Sequence, residues 1–178
     1  MKITAAVVTA AAIGFAIGYS LTAVSLTLTL AITFGTIAYH LDMRLIVGAL
    51  YNTFMHNRAD YRRAWYRVKP WEEKLYAALR VKKWKKYLPT FVPESFDPRR
   101  HSRDEIAQAM CQAELAHETF IALSFVPLLC IAPFGEPAVF ILTSVLSALF
   151  DLIFVVIQRS NRPRVVRLAE KTPGDDKT

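Results

Sequence analysis

The chain has 178 residues, of which 53% are apolar, and its 22 Lys and Arg give a net charge of +7. A soluble basic domain interleaves apolar and charged residues. That pattern is excluded here: positions 3–41 hold no Lys, Arg, Asp or Glu, positions 42–118 are crowded with them, and positions 119–158 hold only Glu136 and Asp151. Such blocks read as one all-α integral membrane domain over 1–170, with about four transmembrane helices and a basic, aromatic-rich cytoplasmic segment between the second and third.

The first apolar run is twice the roughly 20 residues that one membrane helix requires. Gly18-Tyr19-Ser20 falls near its middle, so the run is read as two helices, 3–18 and 21–40, with one long tilted helix as the alternative. It far exceeds a signal-peptide core of about 7–15 residues and is read as retained. In the segment 42–116, Tyr51, Phe54, Tyr61, Trp65, Tyr66, Trp71, Tyr76, Trp84, Tyr87 and Phe91 alternate with Arg and Lys. Trp and Tyr favour the headgroup level and cations there attract anionic lipid, so interfacial amphipathic helices are expected. Prolines at 89, 93 and 98 mark a loop over 88–98. A third span covers 117–132 and begins within the helical stretch 102–118. Pro133-Phe134-Gly135-Glu136-Pro137 is a turn, and a fourth span follows over 138–158. The polar tail 171–178 is expected to be disordered.

Lys and Arg orient these spans. One lies before the first helix, fifteen lie in 41–116, six follow position 158, and neither short turn holds any. With four spans all three basic segments share one side, which the positive-inside rule makes cytoplasmic. A multi-pass protein of the cell membrane with both termini cytoplasmic follows. Cys111 and Cys130 fall in segments of different polarity, so no disulfide is expected.

Three places depart from plain hydrophobic patterning. Glu114 and His117 are three apart and Glu118 is four from Glu114, so all three share a helix face. A carboxylate beside an imidazole can orient it as a general base for a hydroxyl; an ordinary ion pair at a helix end is the plainer alternative. No second Glu-x-x-His is present, so no metal site is expected. Asp151 is an acid within an apolar run, which makes it a functional candidate or a structural hydrogen-bonding residue. Helical spacing puts it on one stripe with Val155, Gln158 and Arg162. Gln158-Arg159-Ser160-Asn161-Arg162-Pro163-Arg164 closes the fourth helix, and Pro163 is expected to end it sharply. The planar forks of its arginines suit carboxylate or phosphate. Stop-transfer charge is the alternative.

Lys83-Trp84-Lys85, Leu88-Pro89, Ala-Glu-Leu-x-His ending at His117, and Gln158 to Arg164 together resemble the glycosyl-4,4'-diaponeurosporenoate acyltransferase family, over about residues 81–167. The resemblance implies a membrane enzyme that moves a fatty acyl group onto a hydroxyl of a glycosylated lipid, a carotenoid glycoside or another glycolipid. In that reading His117 is the general base and Glu114 orients it, with Asp151 as a further catalytic candidate. Arg159, Asn161 and Arg162 hold the donor's phosphate or the oxyanion, and Gln158 and Arg164 extend this substrate site. Lys83 and Lys85 meet a headgroup or donor, with Trp84 at the interface. The expected donor is acyl-CoA or an acyl carrier protein, and the other partners are membrane lipids and the glycolipid acceptor. No bound cofactor and no nucleic acid are expected. A non-enzymatic assembly or lipid-binding protein, and an enzyme acting on lipid phosphates, are the competing readings.

Overall fold

A computed structural model describes residues 1–88 and 93–171. Part of the expected loop over 88–98, including Phe91, and the tail beyond Lys171 lie outside the described residues. All regular structure among the described residues is helical. The α-helices are α1 Lys2–Thr22, α2 Ser25–Met55, α3 Pro70–Ala78, α4 Val81–Trp84, α5 Arg103–Leu123, α6 Ile131–Phe134 and α7 Pro137–Lys171. Four helical stretches are long and apolar enough to cross a membrane: Lys2–Thr22, Ser25–Met55, Arg103–Phe134 and Pro137–Lys171. Their outer faces are apolar; Ile3 is 82% and Leu21 80% exposed. Such surface is stable only against lipid or protein. The expected all-α membrane architecture is therefore what the chain forms.

The chain divides into two compact units, Met1–Leu50 with Thr119–Asp151, and Tyr51–Glu118 with Leu152–Thr178. In the first unit, α1 and α2 are separate helices, but the break falls at Ala23-Val24 and not at Gly18–Ser20. Ser20 and Thr22 donate their hydroxyls back to the carbonyls of Ile17 and Gly18, each at 2.7 Å, so these polar residues stay within the helix. Ala23 then turns left-handed at φ 53°, its N–H reaching the Tyr19 carbonyl at 2.8 Å. The two helices meet through stacked Phe15 and Phe34 rings 5.3 Å apart and a Thr9 hydroxyl bond to Asp42. Gly135 and Glu136, at φ 70° and 52°, make the turn before α7. Thr29 donates to the Glu136 carboxylate at 2.9 Å.

Asp151 has its partner in this unit. Arg44 on α2 pairs with it and also donates to the Ser147 hydroxyl at 2.7 Å. Ser147 lies 2.8 Å from Ser124 and 3.1 Å from His40 Nδ1. An acid at this position is costly alone, and the guanidinium neutralises it. Asp151→Asn keeps the shape but removes the charge, and is expected to destabilise the protein by about 1–3 kcal/mol. Unfolding in detergent reads this, and a melting temperature equal to wild type would show that the pair contributes nothing.

The second unit is built on the amino-terminal part of α5, the carboxy-terminal part of α7, and the short helices between α2 and α5. Pro70 occupies the first turn of α3, where its missing N–H costs nothing. Glu72, three positions after Lys69, accepts the Lys69 N–H at 2.6 Å and so caps the helix. A 3-10 turn over Ala64–Tyr66 buries Tyr66. α7 does not stop at Pro163 but continues to Lys171. A proline removes only one helical bond, and the turns flanking Pro163 are held by side chains: Arg159 and Arg162 by buried carboxylates, and Arg167 by the Pro163 carbonyl at 3.1 Å.

Candidate active site

The second unit holds a buried charge cluster assembled from three helices. Glu114 on α5 has no exposed surface, Arg162 is 2% exposed, and Glu72 and Arg159 are 7% and 9% exposed. Both Glu114 oxygens are taken: Oε1 accepts from Arg159 Nη1 at 2.5 Å and Oε2 from Arg162 Nη1. Arg159 Nη2 reaches Glu72 at 2.9 Å, and Nη1 also donates to the Trp65 carbonyl at 3.2 Å. Arg162 Nη2 donates to the Tyr66 carbonyl, and its guanidinium sits 5.2 Å from the centre of the Tyr66 ring. Two cations thus face two anions, and the carbonyls of Trp65, Arg67 and Tyr66 accept further guanidinium protons, while Arg159 Nε is buried without a hydrogen-bond partner among the described residues. Burial pushes the Glu72 carboxyl up, but the Lys69 amide and Arg159 outweigh it and leave the group below its ordinary value. The cluster is a clamp: it fixes α7 against α5, α3 and the Ala64–Tyr66 turn.

A groove of about 770 Å³ lies against this clamp, with Arg159 in its wall. Lys83, Lys85, Asn161 and Arg164 also line it, so five of the residues singled out in the sequence converge there. Lys85 donates its ammonium to Asn161 Oδ1. An ammonium only donates, so the Asn161 carboxamide is oriented with its oxygen on Lys85 and its NH2 elsewhere. Burial, with Arg164 and Lys82 nearby, holds the Lys85 ammonium below its usual range. Trp84 turns its indole N–H to the Leu79 carbonyl at 2.9 Å, and Gln158 is half-buried on α7.

His117 is half-buried one turn beyond Glu114, its ring stacked on Phe154 at 4.9 Å and 12°. Glu118 accepts the Trp65 indole N–H at 2.9 Å. Asp151 belongs to the first unit, with Arg44. The partners that sequence reasoning missed are Glu72 and the carbonyls of Trp65 and Tyr66. The only available signal was Glu72 at the third position of a proline-led helix, which marks a cap but not an arginine partner. Among the described residues no cluster of His, Cys, Asp and Glu could hold a metal ion.

Helices fit for a membrane joined to a basic, groove-bearing unit define an all-α membrane protein. The chain belongs to the glycosyl-4,4'-diaponeurosporenoate acyltransferase family, whose profile matches residues 62–171. The match takes in the clamp, the groove and His117, and leaves out α1, α2 and Arg44. No curated protein and no solved structure matches the chain.

Proposed function

We propose that this protein transfers a fatty acyl group from a thioester donor to a hydroxyl of a glycosylated lipid, a carotenoid glycoside or another glycolipid. The observation that carries the reading is the family match over the whole stretch that forms the clamp and groove. The donor is acyl-CoA or an acyl carrier protein. The acceptor hydroxyl oxygen attacks the thioester carbonyl, its proton passes to His117, the C–S bond breaks, and the leaving thiolate recovers the proton. With both arginines committed to Glu114, the Asn161 NH2 is the donor best suited to the developing oxyanion. It makes no hydrogen bond to the described residues, and Lys85 fixes its direction. Lys83, Arg164 and Gln158 bind substrate, and Trp84 steadies this segment at the lipid surface. The one-sided basic charge supports a multi-pass protein of the cell membrane with both termini cytoplasmic.

The test feeds a labelled acyl donor and glycolipid acceptors to the purified protein. The expected product is a glycolipid heavier by one acyl group, released by mild base as an ester. Label confined to phospholipid, or no labelled lipid at all, would overturn the reading.

A further inference from the structure

Charge balance divides the groove from the clamp. Within the clamp every cation meets a carboxylate. Around the groove the balance fails: Lys82, Lys83, Lys85, Arg80, Arg164 and Arg167 line it, and among the described residues Glu73 is its one lining carboxylate. None of these six cations takes part in an ion pair among the described residues. Repulsion among them is tolerable beside water but favours any bound anion. The wall between the cations is not polar throughout. Val68, Ala77, Val81 and the Tyr76 ring supply an apolar, partly aromatic surface. Six cations exceed what a single phosphodiester neutralises, and an aromatic wall suits a planar base.

We propose that the groove binds the phosphate-bearing portion of a coenzyme A thioester, its phosphates on the Lys82–Lys85 and Arg164–Arg167 cations and its base against the apolar wall. The shared chemistry is phosphate, which an anionic lipid headgroup also offers; the number of unpaired cations and the aromatic wall favour the nucleotide. This deepens the acyl-transfer reading by naming the donor and rests on that reading only for the acyl end. Asn161, held by Lys85 at the same groove, then lies where the donor binds.

The experiment measures calorimetric binding of coenzyme A and of adenosine 3',5'-bisphosphate to the full chain in nanodiscs of phosphatidylcholine. Both ligands are expected to bind saturably and more weakly as salt rises. The double variant Lys83→Ala with Arg164→Ala is expected to weaken both by about tenfold or more, the loss of two charge-assisted contacts. Both side chains are exposed, so a cooperative melt near wild type serves as the folding control, and Lys74→Ala, outside the groove, should bind as wild type. Absent binding, or binding unchanged in the double variant, overturns the proposal. So does stabilisation of the protein by phosphatidylglycerol alone that the double variant abolishes, since the groove then serves a lipid headgroup. Glycolipid acylation that runs on acyl carrier protein without coenzyme A binding would sink this proposal and spare the acyl-transfer reading. Coenzyme A binding without any acylated glycolipid would do the reverse.

Discussion

Glu114→Ala is expected to destabilise the protein by about 3–5 kcal/mol, the cost of leaving buried charge uncompensated. For a chain of this length that corresponds to a melting temperature lower by on the order of 10 °C. The reason is geometric. Glu114 serves two guanidinium groups at once, and its removal leaves Arg162 with no carboxylate partner among the described residues. Arg159 keeps Glu72, so the damage concentrates on Arg162. Glu114→Gln retains shape and one acceptor and should cost less. Glu72→Gln should cost least, because Arg159 still holds Glu114. Pairing Glu114→Leu with Arg162→Met removes both charges together and should recover part of the loss. Unfolding in detergent with this series reads the order directly. A Glu114→Ala protein that melts with wild type would mean that the clamp holds nothing together.

The clamp also explains why some features were legible in the sequence and others were not. Segregated charge marked four apolar spans, because a membrane-crossing helix must present a predominantly apolar surface to lipid. Gly135 with its flanking prolines marked the last turn for the same kind of local reason. The hairpin turn was misplaced because Ser20 and Thr22 satisfy their hydroxyls inside the helix, which composition does not reveal. Asp42 and Arg44 looked like the end of a span, yet α2 runs on to Met55. Each of those charges has a partner on another helix, Thr9 for Asp42 and Asp151 for Arg44. Spacing along a helix reports neighbours three or four residues away and nothing about partners distant in sequence. Glu114 therefore read as the companion of His117, while its oxygens go to Arg159 and Arg162. The basic motifs at Lys83 and Arg164 were visible one at a time; only the fold brings them to one groove.

The same geometry separates two roles that the shared helix face had merged. His117→Gln is expected to lower kcat by about 10²–10⁴-fold, the range for loss of a general base, with a melting temperature near wild type. Both Glu114 oxygens hold guanidinium groups, so Glu114→Gln is expected chiefly to lower stability and leave the folded fraction active. If Glu114 instead oriented the imidazole, Glu114→Gln would cut kcat nearly as deeply as His117→Gln does. The Phe154 ring stacked on His117 gives a third handle. Phe154→Leu preserves bulk but not the flat surface, and should reduce kcat only modestly by loosening the ring. Turnover and melting temperature measured together across these three variants sort base from clamp. A His117→Gln protein with wild-type kcat would remove the imidazole from proton transfer. The thioester chemistry would then have to draw its base from the acceptor, the donor or water held in the basic groove.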